Sequence, residues 1–277
     1  MQIGTDTVAV VTGGASGIGR SCAMEFARRG AGVVVADINE PRLAETVSEL
    51  QGLGAKALAV RCDVTQDDDL ARLRDESLSA MGHVDVLMNN AGVALFGPPE
   101  HVPLDDWRWI FEINVFGTIR GIQAFVPYFQ ERGKGHIVNT SSIAGLMAYA
   151  WDAIPYITSK FGVYGFTEGL YTYLKPQGIG VSVLCPGSVL TNFAEMIRVS
   201  GADPSWVHDA MGIRSVDPAV IGPIVVDAVA EDRFLILTHS ETAGELAERH
   251  RDVQAALDQQ IAMDAKPPGS RVEGRDV

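Results

Sequence analysis

The chain has few cysteines and no long hydrophobic run. Its 277 residues include three cysteines, Cys22, Cys62 and Cys185, each lying in or beside an apolar segment far from the others. Such cysteines are typical of buried free thiols, not of a disulfide framework or a metal site. No stretch of about 18 apolar residues predicts a transmembrane helix, and the N-terminus has no basic start followed by an apolar stretch. We therefore predict a cytoplasmic protein that binds no metal.

Positive charge is also scarce. The chain carries 22 Lys and Arg against 35 Asp and Glu, a formal net charge of −13. Proteins that bind nucleic acids or anionic membranes normally show the opposite balance, so neither is expected as a partner. The acidic triplet at 67–69 is predicted to begin a helix, with its carboxylates at the positive end of the helix dipole, and is not read as a metal site. A small-molecule substrate remains the expected partner.

Short apolar segments alternate with helical patterns along the chain. Strands are predicted over 8–11, 32–36, 57–60, 84–88, 136–139, 181–184 and 234–237. Helices are predicted over 21–29, 41–50, 67–81, 104–130 (in one piece or two), 155–174, 217–230 and 241–263. Strands that are apolar throughout belong to parallel sheets covered on both faces, and the alternation implies right-handed crossovers. We predict an α/β fold with a doubly wound parallel sheet of about seven strands, a single domain over 1–265, and a disordered tail over 266–277.

A glycine-rich turn lies between the first predicted strand and the first helix. Gly13, Gly17 and Gly19 permit positive φ angles and let a pyrophosphate approach the backbone and the helix N-terminus. Asp37 ends the second strand, about 20 positions later, where a carboxylate accepts hydrogen bonds from the adenosine ribose and repels a 2′-phosphate. Neither Ala15 nor Ser16 supplies a cation for such a phosphate. The pattern predicts NAD as the cofactor in preference to NADP.

Tyr156 and Lys160 lie four residues apart, which places them on one face of a helix. An ammonium about 4 Å from a phenol, at an effective dielectric of about 20, stabilises the phenolate by about 4 kcal/mol. The tyrosine pKa would fall by about three units, into the range where a phenol exchanges protons at neutral pH. The pair therefore predicts a proton-transfer site.

The chain resembles the short-chain dehydrogenase/reductase family over residues 6–240. The resemblance rests on the order and spacing of the glycine turn, Asp37, Asn90-Ala91-Gly92, Ser141-Ser142, Tyr156 with Lys160, and Pro186-Gly187. It implies a Rossmann-like NAD-binding catalytic domain, hydride transfer between NAD(H) and an alcohol or ketone, and a homotetramer.

The resemblance also implies residue roles. The cofactor-binding residues would be Gly13, Ser16, Gly17, Ile18, Gly19, Asp37, Asp63, Val64, Asn90, Ala91, Gly92, Tyr156, Lys160, Pro186, Gly187, Val189 and Thr191. Ser142 would donate a hydrogen bond to the substrate oxygen, and Tyr156 would exchange the proton. Lys160 would lower the Tyr156 pKa and bind the nicotinamide ribose, and Asn114 would support a water in a proton relay. Ser142 lies 14 positions before Tyr156, where 13 is commoner in the family, so Ser141 stays an alternative.

Segment 187–215 is predicted to form a lid over the substrate. The large apolar side chains of the lid and of nearby segments are expected either to line an apolar pocket or to pack against the core or a neighbouring subunit. They are Val189, Leu190, Phe193, Met196, Ile197, Trp206, Met211, Leu95, Phe96, Met147, Tyr149 and Trp151. Arg198 and Arg214 are the basic residues of these segments. The predicted substrate is an uncharged, fairly bulky secondary alcohol or ketone. Two alternatives stay open: a 3-oxoacyl-carrier-protein reductase, which Asp37 and the acidic charge oppose, and a non-catalytic NAD-binding sensor or scaffold, which the complete catalytic set opposes.

Overall fold

A computed structural model describes residues 1–201 and 215–263. It divides into two compact units, Met1–Thr238 and a second that begins at His239. The predicted tail over 266–277 lies outside the described residues, as do Trp206, Met211 and Arg214 of the predicted lid. That residues 1–265 behave as one domain stays a prediction.

The first unit is built on parallel strands. They are β1 (Val8–Thr12), β2 (Gly32–Asp37), β3 (Ala57–Arg61), β4 (Val86–Asn89), β5 (Ala94–Phe96), β6 (Gly135–Thr140), β7 (Ile179–Cys185), β8 (Ile197–Val199) and β9 (Leu235–Leu237). Seven of them form one sheet in the spatial order β3-β2-β1-β4-β6-β7-β9, and every pairing in it is parallel. The prediction of a Rossmann-like doubly wound parallel sheet is confirmed.

Helices cover both faces of this sheet. They are α1 (Gly17–Arg28), α2 (Glu40–Gly52), α3 (Asp67–Met81), α4 (Leu104–Phe111), α5 (Gly117–Arg132), α6 (Ile154–Leu174) and α7 (Ile221–Ala230). Successive side chains of a strand point to opposite faces. In β1, Ala9 and Val11 therefore join the core beneath α1, α2 and α7, whereas Val8 and Val10 join the core beneath α3, α5 and α6.

The order of the strands places the site. Strands β2 and β3 lie on one side of β1, and β4, β6, β7 and β9 lie on the other. Where the direction of winding reverses, the loops after the two adjacent strands diverge and leave a crevice at their carboxyl ends. Thr12 ends β1 and Asn89 ends β4, so the glycine turn and the segment from Asn90 to Gly92 face each other across this crevice.

The predicted helix over 104–130 is interrupted. Residues Glu112–Phe116 adopt a π-helical turn between α4 and α5. A π-helical turn inserts an extra residue per turn, and such turns are frequent at functional sites. This one carries Asn114. The two-stranded sheet of β5 with β8 was not predicted, because it pairs two three-residue segments about a hundred positions apart.

The second unit contains α8 (Thr242–Arg251) and α9 (Val253–Met263). The prediction of one helix over 241–263 is wrong at Asp252, which is extended with φ −152° and ψ 93°. Its Oδ1 accepts a hydrogen bond from the Ala255 backbone at 3.0 Å, so this aspartate begins the next helix instead of continuing the last. No helix within 1–201 or 215–263 combines the length and the apolar composition that a membrane crossing needs.

Candidate active site

A cavity of about 530 Å³ lies along the carboxyl ends of the central strands. It is lined by the residues that follow β1, β2, β3, β4, β6 and β7, and by the beginning of the lid segment. All of the predicted cofactor-binding and catalytic residues line it except Gly19 and Asn114. The loops after the strands thus bring together side chains that lie up to about 180 positions apart.

The glycine turn packs closely against the neighbouring loops. Gly13 and Gly17 have φ values of +61° and +51°, a conformation that side chains disfavour. A Cβ on Gly17 would lie 3.0 Å from Thr191 Cγ2, and one on Gly13 would lie 2.9 Å from Ala91 Cα. Gly19 has a different role: its added Cβ would lie 2.3 Å from the Gly13 carbonyl oxygen, so it lets α1 pack on the turn.

The N-terminus of α1 is left available to an anion. Its cap residue Ser16 makes no side-chain capping bond, so the first amide groups of the helix keep their donors. On the other side of the crevice, Asn90 Nδ2 donates to the carbonyl oxygens of Thr12 and Gly13, both at 3.2 Å. This amide holds the turn in place against the β4 loop.

Asp37 and Asp63 also line this end of the cavity. Asp37 Oδ2 accepts from the Ala15 amide at 3.3 Å, and its Oδ1 accepts from the Asn39 amide at 3.0 Å. Asp63 instead accepts from its own loop, at the Thr65 amide and hydroxyl, 2.9 and 2.8 Å away. Asp37 is therefore held at the end of β2 by one bond to each carboxylate oxygen, which leaves further lone pairs for a ligand.

One residue of the acidic triplet holds this loop. Asp69 is buried, and its Oδ2 accepts from the Asp63 amide at 2.8 Å. The helix does begin at Asp67, as predicted, but Asp69 also joins the helix to the end of β3. The described residues contain no cluster of three or more His, Cys, Asp or Glu side chains arranged around a metal position.

The two serines after β6 point in different directions. Ser142 lies beside the side chain of Tyr156 and lowers its pKa, and its Oγ accepts from the Ala144 amide at 3.1 Å and donates to the Pro186 carbonyl oxygen at 3.4 Å. Ser141 Oγ instead donates to the Lys160 carbonyl oxygen at 2.8 Å, on the backbone of α6. The structure thus brings Ser142, and not Ser141, to the tyrosine hydroxyl.

Burial dominates the titration of Tyr156 and Lys160. It raises the pKa of Tyr156 to about 12, opposed by the neighbouring Ser142 side chain. It lowers the pKa of Lys160 to about 8. The Lys160 ammonium donates to the Thr140 carbonyl oxygen at 3.0 Å and lies 5.7 Å from the centroid of the Tyr156 ring. The prediction that Lys160 lowers the Tyr156 pKa is therefore wrong when only the groups of the protein are considered. Burial of the phenol raises its pKa, and the Lys160 ammonium, which donates to the Thr140 carbonyl oxygen, does not offset this effect.

Asn114 lies behind the cavity wall. Its Nδ2 donates to the Val93 carbonyl oxygen and to Ser159 Oγ, both at 3.0 Å, and its Oδ1 accepts from the Val93 amide at 2.9 Å. A Cβ on Gly92 would lie 3.2 Å from Asn114 Oδ1 and 3.3 Å from Lys160 Nζ. Asn114 therefore joins the loop after β4 to α6 and sits beside the lysine without lining the cavity.

The far end of the cavity is apolar and aromatic. It is lined by Val93, Phe96, Trp109, Ile113, Ile143, Tyr149, Phe193, Met196 and Ile197. Of the predicted pocket residues, Leu95, Leu190, Met147 and Trp151 do not line the cavity, and Leu190 is 64% exposed. Trp109 and Ile113 were not predicted. They come from α4 and the π-helical turn, and no local pattern separates them from residues that only pack in the core.

The described part of the lid is tied to the rest of the first unit. Glu195 forms a two-pronged ion pair with Arg42 of α2, at 2.9 and 3.1 Å. Thr191 Oγ1 accepts from the Phe193 amide at 3.1 Å, and the Gly187 amide donates to Thr238 Oγ1 at 3.1 Å. These bonds hold residues 187–195 beside the cavity.

The chain is similar in sequence to known dehydrogenases. The short chain dehydrogenase family profile matches residues 7–200. The C alpha-dehydrogenase of Sphingobium sp. strain SYK-6 is 35% identical over 279 residues, covering 96% of the chain and 90% of that protein. The 1-deoxy-11-beta-hydroxypentalenate dehydrogenase of Streptomyces exfoliatus is 36% identical over 248 residues, covering 88% and 87%.

Solved structures agree with these sequence matches. A short chain dehydrogenase/reductase from Burkholderia phymatum, crystallised in complex with NAD, superposes with a TM-score of 0.84 at 34% identity, covering 92% of this chain and 96% of that one. These relatives are all dehydrogenases. Their identity agrees with the sheet order, the glycine turn and the cluster of Ser142, Tyr156 and Lys160. The chain belongs to the short-chain dehydrogenase/reductase family and is an oxidoreductase that acts on hydroxyl or keto substrates.

Proposed function

We propose that the chain interconverts an uncharged, bulky secondary alcohol and the corresponding ketone with NAD(H). One observation carries the proposal. A single cavity extends from Asp37, past Ser142, Tyr156 and Lys160, to an aromatic end. Among the described residues that line that end, none carries a charge. An apolar wall with a few convergent polar groups is typical of a site for an apolar ligand.

The residues present fit a dinucleotide. The glycine turn lines the cavity beside the uncapped N-terminus of α1, where a pyrophosphate would bind. Asp37 is available to the adenosine ribose, Asp63, Val64 and Asn90 to the adenine side, and Pro186 to Thr191 to the nicotinamide side. When bound, the nicotinamide accepts or supplies the hydride.

Asp37 and Arg42 support NAD over NADP. Asp37 would repel a 2′-phosphate at the end of β2. The nearest candidate cation on α2 is Arg42, and both of its terminal nitrogens are engaged by Glu195. A phosphate would have to displace this ion pair as well as overcome the repulsion of Asp37.

Tyr156, Ser142 and Lys160 have different roles in proton transfer. A pKa of about 12 keeps Tyr156 protonated at neutral pH, ready to give its hydroxyl proton to the oxygen of a bound ketone. Ser142 stabilises the charge that develops on that oxygen by donating a hydrogen bond to it. The Lys160 ammonium stabilises the phenolate that results, and Asn114 joins the loop after β4 to α6, the helix that carries Tyr156 and Lys160. In alcohol oxidation the same phenolate accepts the proton.

A turnover panel tests the proposal. Initial rates are measured for a set of apolar secondary alcohols with NAD⁺ and with NADP⁺, and for the ketones with the reduced cofactors. We expect kcat/KM to favour the NAD pair by at least about tenfold. Equal values for the two cofactors would contradict the NAD assignment. NAD binding by calorimetry without turnover of any alcohol or ketone would favour the sensor or scaffold instead.

We also infer a homotetramer that assembles through α5 and α6. Phe125 and Phe129, predicted to contribute, are buried in the core of the subunit. Phe161 and Tyr173 of α6 are 41% and 61% exposed, and such exposed apolar side chains on one helix support a subunit interface. Light scattering is expected to give a tetramer that Phe161→Asp disrupts, whereas Leu53→Asp, directly after α2, leaves it intact. A monomeric wild type at micromolar concentration would contradict the inference.

A cytoplasmic location is part of the same proposal. It is supported by three free cysteines, all buried. Burial raises the pKa of Cys62 and of Cys185 to about 12, which keeps these thiols protonated and unreactive.

A further inference from the structure

Trp109 stands apart from the other residues of the cavity wall. It lies on α4, remote in sequence from both the nucleotide turn and the lid, and its ring lines the aromatic end of the cavity. Phe193 lines the same end, with its ring centroid 6.2 Å from that of Tyr156 and the two planes at 57°. A substrate group next to the reacting oxygen therefore meets aromatic side chains.

The Trp109 ring is held from outside the cavity. The guanidinium carbon of Arg198 lies 3.8 Å from the ring centroid, a cation–π contact that covers one face of the indole. Arg198 belongs to β8 and does not line the cavity. The part of the Trp109 ring that Arg198 does not cover faces the cavity.

Arg198 is itself fixed by α4. Its Nη1 donates to Asp106 Oδ1 at 2.6 Å, and Ser200 Oγ donates to Asp106 Oδ2 at 2.6 Å. The hydrogen bond from Ser200 and the ion pair with Arg198 lower the pKa of Asp106, which keeps this anchor ionised at neutral pH. The carboxylate, guanidinium and indole thus form one cluster across the join of α4 and β8.

We propose that Trp109 is a specificity-determining residue that stacks on a planar, unsaturated ring attached to the carbinol carbon, and that Arg198 is the positioning residue that holds it. Offset or edge contacts between two aromatic rings contribute binding beyond the apolar area that they bury. A fixed indole in the cavity that also holds Tyr156 therefore favours an aryl carbinol or aryl ketone over its saturated counterpart. This inference rests on the proposed alcohol and ketone chemistry and narrows its substrate class.

The test compares two ketones that differ chiefly in planarity, acetophenone and cyclohexyl methyl ketone, together with the two alcohols they form. KM and kcat are measured with NAD(H), and dissociation constants are measured by calorimetry on the enzyme loaded with NAD. We expect the wild type to prefer the aryl member by about two- to tenfold in both KM and dissociation constant. Trp109→Leu is expected to remove this preference, so that KM and the dissociation constant of the aryl ketone rise to those of the cyclohexyl ketone.

Conservative and control variants separate recognition from packing. Trp109→Phe keeps a ring and is expected to retain most of the preference. Arg198→Met is expected to reduce it, and Arg198→Lys to restore part of it. The control is Trp107→Leu, because Trp107 packs beside Phe111 on the same helix and does not line the cavity. This variant is expected to keep the aryl preference.

The outcomes distinguish the two proposals. Turnover of both ketones with no aryl preference in the wild type, or an equal loss for both ketones in Trp109→Leu, overturns the role of Trp109 and leaves the proposed function standing. Aryl-selective binding that Trp109→Leu removes, without turnover, supports the role of Trp109 and overturns the proposed function. Failure of both ketones to bind overturns the role of Trp109.

Discussion

Ser141 Oγ donates a 2.8 Å hydrogen bond to the carbonyl oxygen of Lys160, the residue whose ammonium lies 5.7 Å from the centroid of the Tyr156 ring. The bond joins the loop after β6 to the backbone of α6. It occupies the hydroxyl of Ser141, which is 1% exposed, and leaves Ser142 as the hydroxyl at Tyr156. The two neighbouring serines therefore have separable effects.

Ser142→Ala and Ser141→Ala are a matched pair. Ser142→Ala is expected to lower kcat by about a hundredfold or more, because it removes a donor to the substrate oxygen. It is also expected to lower the unfolding free energy by about 1 kcal/mol, because the Ala144 amide loses its capping acceptor. Ser141→Ala is expected to cost about 0.5–1.5 kcal/mol of unfolding free energy, because it removes one buried hydrogen bond to the Lys160 carbonyl oxygen. Rates and urea unfolding curves of both variants check this. A larger loss of kcat in Ser141→Ala would reverse the assignment of the two serines.

Tyr156→Phe removes only the hydroxyl. Turnover is expected to fall by at least about a hundredfold while NAD binding and folding survive, because the ring keeps its packing. Tyr149→Phe is the control, since Tyr149 also lines the cavity and is expected to lose less than about tenfold. Near wild-type kcat in Tyr156→Phe, with NAD bound, would mean that another group transfers the proton.

Lys160→Met keeps the length of the side chain without its charge. It is expected to lower both kcat and NAD affinity, because the variant loses the ammonium that stabilises the phenolate and the predicted contact to the ribose. Stopped-flow rates and calorimetric titration with NAD measure the two effects separately. A variant that loses kcat alone would argue against the ribose contact.

Asp37→Asn removes the charge but keeps the shape of the side chain. The ratio of kcat/KM for NADH over NADPH is expected to fall by about tenfold or more, because repulsion of the 2′-phosphate is lost. Glu40→Gln, at the start of α2 and exposed, is the control for a general change of charge. An unchanged ratio in Asp37→Asn would show that other residues select the cofactor.

His136 predicts a stability that depends on pH. It is buried in β6, with Nε2 2.8 Å from Ser182 Oγ, and Asp232 Oδ1 lies 3.9 Å from its Nδ1. Burial lowers its pKa to about 4, against the opposing effect of Asp232 and with a further lowering from Lys175. Because the folded pKa lies below the unfolded value of about 6.5, the unfolded chain binds more protons in this interval and stability falls as pH falls through it.

The expected loss is about 2 kcal/mol of unfolding free energy between about pH 7.5 and pH 5. Urea unfolding of the wild type and of His136→Gln at both pH values isolates this contribution, because other titrating groups are common to the two proteins. His101→Gln, at an exposed position, is expected to behave as the wild type. Equal pH dependence in the wild type and His136→Gln would contradict the prediction.

The sheet and the cofactor turn were predictable because their signals are local. A strand buried on both faces must be apolar at successive positions, as Val33, Val34 and Val35 are, and a turn that needs positive φ selects glycine at Gly13 and Gly17. Strand-helix alternation then restricts the topology to a doubly wound sheet. The position of Asp37 after β2 follows from the same local pattern.

The tertiary structure decided what depends on contacts between distant segments. Ser142 faces Tyr156 because the neighbouring Ser141 is bonded to the Lys160 carbonyl oxygen. The position of Trp109 in the cavity wall depends on the pairing of β5 with β8, because this pairing brings Arg198 to the Trp109 ring. Spacing alone predicted a lowered Tyr156 pKa, yet burial raises it. The sequence by itself determined which side chains were available for chemistry. Their direction and solvation were decided only when packing removed water from some of them and left others facing the cavity.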